Sequence, residues 1–174
     1  PGEDASCPYF WPIGNRYIFL FFSHTTGSQY LLGDYNKEEH CFYPTFHGRF
    51  NFMSFLPGGV HAPSATSDGK GGVIVIHNMH TGKKSPGWRG ITTLPRKLTL
   101  DKCDTINIQP YGDYKSLRTH HQHIDKTHLP ANKEIIIDNI QGNALEIKAE
   151  INIKSSPMIE MNVLRSPDKE EFTS

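Results

Sequence analysis

Histidine is the first residue type in this chain that could do chemistry. There are ten, and His120, His121 and His123 fall within four positions, with His128 close behind. Neutral imidazole is a common ligand for transition metals, so a tract of this kind invites a metal site. The spacing here lacks the cysteines or carboxylates that complete ordinary sites. The tract is read as a polar loop at the junction of two units, and no metal is expected. Three cysteines, Cys7, Cys41 and Cys103, are widely spaced and odd in number. Without a Cys-x-x-Cys pair they make no zinc ribbon. They are read as small buried thiols, the common state of a free cysteine.

Two positions carry groups suited to a hydroxyl-rich ligand. Asn51, in Gly48-Arg49-Phe50-Asn51-Phe52, can donate and accept a hydrogen bond, although the same residue type also serves turns and bulges. His61, in Val60-His61-Ala62-Pro63-Ser64, offers an imidazole that either bonds a sugar or is satisfied within the fold. Trp88 is read as a packing residue rather than a wall for stacking a sugar. Arg96, Arg118 and Arg165 are read as structural, each presenting a fork of five donors.

The elements that would position these residues are strands. Tyr17-Ile18-Phe19-Leu20-Phe21-Phe22 is a short apolar run, and Ser28-Gln29-Tyr30-Leu31-Leu32-Gly33-Asp34 follows it. The two read as a hairpin with Gly27 supplying the turn. Another turn is expected over residues 12–15. Val73-Ile74-Val75-Ile76-His77 follows Ser67-Asp68-Gly69-Lys70-Gly71-Gly72, a strong turn signal. Residues 91–100 and Asn107-Ile108-Gln109-Pro110 continue the series. Short strands at regular intervals argue for a sandwich, barrel or propeller. Residues 115–122 have room for one short helical turn.

Past Tyr114 the pattern changes. Ala144-Leu145-Glu146-Ile147-Lys148-Ala149-Glu150-Ile151-Asn152-Ile153 alternates apolar and polar residues almost throughout, the mark of a sheet with one wet face. With Glu134-Ile135-Ile136-Ile137-Asp138 and Met158-Ile159-Glu160-Met161-Asn162-Val163-Leu164, it predicts a three-stranded antiparallel sheet over residues 134–165. Leu145, Ile147, Ala149 and Ile151 are expected on its covered face. Three strands make an incomplete sandwich.

The chain has 174 residues, enough for one domain or parts of two. Its 18 basic and 18 acidic side chains cancel. No basic block points to nucleic acid or to an anionic membrane surface. The longest apolar run, residues 17–22, is far too short to span a bilayer. The first residue is Pro1 and no secretory leader is visible. The sequence therefore reads as a processed chain or a piece of a longer one, with no compartment assigned.

Several motifs, in order, resemble glycoside hydrolase family 32, the invertases and fructan hydrolases. Gly87-Trp88-Arg89-Gly90-Ile91-Thr92-Thr93-Leu94-Pro95-Arg96-Lys97-Leu98 is similar to a Gly-Trp-x-Gly-x-x-x-Leu-Pro-Arg-x-Leu segment of that family. Ser6-Cys7-Pro8-Tyr9-Phe10 resembles its Glu-Cys-Pro motif. Gln29-Tyr30-Leu31-Leu32-Gly33-Asp34-Tyr35 resembles its Tyr-x-x-Gly segment. Val60-His61-Ala62-Pro63-Ser64 stands where the family has Phe-Tyr-Ala-Pro-Gln. Ser116-Leu117-Arg118 resembles the Leu-Arg that opens its second domain.

The resemblance implies an all-β fold: the last blades of a five-bladed β-propeller over residues 1–112, then the start of a β-sandwich over residues 113–174. Residues 1–112 would form about two antiparallel blades, with Ser6 at the inner end of a strand facing the central channel. It also implies a fructoside ligand, no cofactor, and a full-length protein that hydrolyses sucrose or fructans with retention. Asn51 and His61 would then be substrate-binding residues. Two departures bear on activity. The nucleophile's Asn-Asp-Pro-Asn motif and the later Arg-Asp-Pro motif are absent. Ser6 occupies the position of the catalytic acid/base, so no catalytic residue is assigned. Retaining glycosidases need two carboxyl groups roughly 5 Å apart, and a serine hydroxyl cannot deliver the leaving-group proton near neutral pH. The chain alone is expected to be inactive. The alternative is a relative that binds fructosides or other glycans without cleaving them.

Overall fold

The computed structural model describes residues 4–50, 59–79, 86–88, 90–153, 155–166 and 168. The chain divides into two compact units, Pro1–Tyr114 and Lys115–Ser174.

The first unit contains two antiparallel sheets. One is a meander of β1 (Ser6–Ile13), β2 (Arg16–Ser23), β3 (Gly27–Asn36) and β4 (Cys41–Arg49), in that spatial order. Each turn has a local cause. The β1–β2 loop is Gly14-Asn15, closed by the pair Ile13 and Arg16. Gly14, at φ 57°, takes the first central position of a two-residue hairpin loop, where a positive φ suits glycine. The β2–β3 turn is tightened by Ser23 Oγ, which accepts the N–H groups of Thr25 at 3.2 Å and Thr26 at 3.4 Å. Gly27, at φ 83°, expected as the turn residue, is the first residue of β3.

The second sheet has the order β5 (Val60–Ser67), β6 (Val73–Met79), β8 (Arg96–Leu100) and β9 (Ile106–Pro110), with the short β7 (Ile91–Thr92) also pairing β6. The turn before β6 is held by Asp68. Its Oδ1 accepts the N–H groups of Lys70 and Gly72, both at 2.7 Å. Its Oδ2 pairs with Lys97 Nζ at 2.6 Å. Residues 91–100 do not run as one strand. Pro95, which has no N–H to give a ladder, separates β7 from β8.

The apolar run of β2 is apolar on both faces because both are used. Ile18 and Leu20 point to the second sheet, where with Ile13, Leu32, Val73, Val75 and Leu98 they form the buried core. Burying a side chain of this size contributes about 1.5–3 kcal/mol. The opposite face carries Phe10, Tyr17, Phe19, Tyr35 and Phe42, with Phe10 stacked on Tyr17 at 5.3 Å. Polar contacts also join the two sheets. Gly14 N–H donates to Gly71 O at 2.8 Å. Arg16 reaches Asp34 at 2.9 Å within its own sheet and Asp104, beyond β8, at 2.5 Å.

The second unit departs from expectation. After the 3₁₀ turn Tyr114–Leu117, its described residues have no strand ladder, so the three-stranded sheet over 134–165 does not form. Leu145, Ile147 and Ile151, expected to be covered, are exposed, as are Ile135, Ile136 and Ile137. The physical reason is the missing second layer. An alternating strand gains stability only when something buries its apolar face, and a small sheet without such packing is marginal in water. Arg118 binds Glu146 through two hydrogen bonds and Arg165 pairs with Glu134.

The cysteine reading also needs correction: Cys7, Cys41 and Cys103 are all exposed. They lie at a bulge, at a strand start and in a turn, where side chains meet solvent. Trp88, read as a packing residue, is half exposed between two positive-φ glycines, Gly87 and Gly90.

Candidate functional site

β1 and β5 are edge strands of their sheets and lie beside each other. Each begins with the same irregularity. In β1 the register shifts between Ser6, paired with Phe22, and Tyr9, paired with Leu20. In β5 it shifts between His61, paired with Asn78, and Ser64, paired with Ile76. Each shift contains one extra residue followed by proline or preceding it: Cys7-Pro8 in one strand, Ala62-Pro63 in the other. Cys7 has φ 50° and Ala62 φ 44°, a left-handed backbone that costs a non-glycine residue of order 1–3 kcal/mol. Bulges re-aim side chains and accumulate beside functional sites. Here they set Ser6 and His61, the two sequence candidates that the structure describes, at equivalent positions in neighbouring strands.

The two positions meet around one ring. Phe22, the cross-strand partner of Ser6, is buried, and its ring centroid lies 5.4 Å from that of His61 and 4.9 Å from that of His24. Ser6 Oγ donates to Asp4 Oδ2 at 2.6 Å. The same carboxylate accepts the backbone N–H of His24 at 2.9 Å and contacts His24 Nδ1 at 2.6 Å. These bonds, led by that from Ser6, hold Asp4 far below the usual carboxylate range. Asp4 is therefore an acceptor and not a proton donor.

Sequence reasoning passed over Asp4 and His24. Asp4 is not adjacent to Cys7-Pro8, the place where the family motif carries its acid. Side chains two apart in extended chain share a face, and that spacing could have linked Asp4 to Ser6. His24 carried no local signal, because the β1–β2 hairpin brings the end of β2 to the start of β1. Asn51 lies outside the described residues. Among the described residues no group of three or more histidine, cysteine or acidic side chains could hold a metal ion. Among them, too, no helix is long and apolar enough to cross a membrane.

No family model and no curated protein matches the sequence. Among solved structures, that of a glycoside hydrolase family 32 protein from Bifidobacterium adolescentis is similar, with a TM-score of 0.52 and 15% identity. The likeness covers 64% of this chain and 19% of that one. The fold is glycoside hydrolase family 32-like. The two meander sheets of the first unit are thus blades of a partial family 32-like propeller, in keeping with the all-β class expected from sequence.

Proposed function

We propose that this chain contributes one wall of a fructoside-binding site in a family 32-like protein, and that it cannot cleave the ligand alone. The observation that carries this reading is Ser6 at the head of β1, hydrogen-bonded to an ionised Asp4. Retaining hydrolysis of a β-fructofuranoside needs a nucleophilic carboxylate and a carboxylic acid that protonates the leaving oxygen. Ser6 is not such an acid, and Asp4 holds no proton to give. The nucleophile and the third acidic residue would come from parts of the family fold that this chain does not span. Removing members of a catalytic set costs orders of magnitude in rate.

The cluster suits binding better than proton transfer. Asp4 offers acceptors, Ser6 a hydroxyl, and His24 and His61 imidazoles, all suited to the hydroxyls of a sugar. This favours the second reading, in which the complete protein holds fructosides or other glycans without hydrolysing them. Asn51, like His61, stays a proposed ligand contact.

The purified chain is expected to release no fructose from sucrose, inulin or levan above buffer, and Ser6→Glu is expected to be equally silent for want of a nucleophile. Clear turnover by the unmodified chain would mean that another carboxylate pair does the chemistry. Fructose titrated into the labelled chain should shift the NMR signals of Ser6, His24 and His61. A spectrum that stays unchanged at saturating sugar would refute the binding site.

A further inference from the structure

The histidines of β5 and β6 lie along the line where the two sheets meet. His61 faces Phe22 of β2, ring to ring at 5.4 Å. His77 faces Phe50, just past β4, at 5.0 Å, and Phe50 in turn packs on Tyr30 of β3 at 5.2 Å. Two imidazoles of one sheet thus meet two aromatic rings from the other side, Phe22 and Phe50, with Tyr30 behind Phe50. Phe50 is fastened to the first sheet through its N–H, which donates to Ser28 O at 3.0 Å.

His77 is 1% exposed, and neither of its ring nitrogens has a hydrogen-bond partner among the described residues. Its backbone N–H is occupied by Thr93 Oγ1 at 3.0 Å. A buried imidazole in that state is tolerated when neutral and opposed when charged, because nothing replaces the water that would solvate the cation. The groups whose positive charge opposes a charged His77 are Arg96 from β8 and, when it is protonated, His61 from β5. From the first sheet it meets Phe50, and behind that ring the Tyr30 hydroxyl, which burial keeps neutral.

We propose that the joint between the two sheets is an acid-sensitive latch: a neutral His77 keeps it closed, and protonation of His77 beside Arg96 opens it along the line from Phe22 to Phe50. Burial first, and then the neighbouring positive charge of Arg96, push His77 down to about 4. Histidine is the side chain whose charge changes over this mildly acidic range. Opening would displace His61, and with it the β5 side of the candidate site. The latch does not depend on what that site binds.

Native-state hydrogen exchange on the full chain tests this at pH 7.5 and 4.5, after correction for intrinsic rates. A proton taken up at about 6.5 in the open form and about 4 in the closed form weakens closure about 70-fold between those pH values. Protection at the Phe50 and His77 amides should fall by about that factor, while the central β2–β3 amides Phe19, Leu20 and Leu31 keep theirs. His77→Phe should abolish the pH dependence at Phe50. An equal fall at all amides, no fall at Phe50, or an unchanged fall in His77→Phe would each overturn the latch. If His77→Phe does not fold, the ring titration of His77 in the unmodified chain decides: a midpoint well below 6.5 supports the latch, and one at or above 6.5 overturns it.

Discussion

Gly33→Ala is expected to be the costliest single-methyl addition in the first unit. Gly33 sits where β3 and β4 change register, between the pairs Leu32 with Phe46 and Gly33 with Pro44. A Cβ placed there would stand 2.2 Å from Tyr43 O, 2.8 Å from Pro44 Cα and 2.8 Å from a ring carbon of Phe42. Nonbonded heavy atoms settle at about 3.5–4.0 Å, so β4 would have to retreat by about 1 Å. The obstruction is mainly backbone and cannot rotate away. Overpacking of this kind costs about 1–3 kcal/mol, and loss of ladder bonds beside the bulge adds about 1 kcal/mol. We expect about 3 kcal/mol in all, at the upper end because both terms act together. Gly69→Ala is the control. Gly69 has φ +70° and nothing within 4 Å of its would-be Cβ, so it carries the left-handed backbone cost alone, about 1–2 kcal/mol. Urea unfolding of both variants and the parent at pH 7.5, with m-values compared, gives the two numbers. A Gly33→Ala chain no less stable than Gly69→Ala would refute the claim that close approach of β4 is what this glycine serves.

Two further outcomes follow from charge and from the missing ladder. Lys97 and the N–H groups of Lys70 and Gly72 lower Asp68 from 3.8 to about 2. A depressed carboxylate contributes stability above its unfolded value and loses it as pH falls through the folded one. Asp68→Asn should therefore flatten the stability profile between about pH 4 and pH 2, below the window of His77; an unchanged slope there would show that the contact with Lys97 is not maintained. In the second unit, amides of residues 119–153 should exchange far faster than those of β2 and β3, because no ladder protects them. Slow exchange across residues 144–153 in the isolated chain would mean that the expected sheet forms in solution.

Legibility in the sequence tracked how local the cause was. The hairpin of β2 and β3 was readable because an apolar run, a glycine turn and a second run lie side by side. The Asp68 turn was readable for the same reason, since Gly-rich loops announce themselves within six residues. β4 was not read as a strand. Pro44 and Gly48 weaken its pattern, and it pairs because β3 already stands there to receive it. The candidate site divides the same way. Ser6 and His61 were singled out from motifs within five residues each. Asp4 and His24 were not linked, because they stand twenty residues apart and meet only through the β1–β2 hairpin.

Residue order alone was enough to establish an all-β chain and its main turns. Those are statements about which residues are present and how their polarity repeats over a few positions, and short-range sterics and hydropathy govern them. What lay beyond it was which faces found cover. The alternating stretch at residues 144–153 has as clear a strand pattern as any in the chain and forms no ladder, whereas β4, with a poor pattern, pairs along its whole length. The matched bulges at Cys7 and Ala62, the ionised Asp4 and the buried His77 likewise exist only once two sheets have packed. Burial, desolvation and cross-strand pairing belong to surfaces brought together from distant parts of the chain, and a local pattern can propose such a surface without supplying its partner.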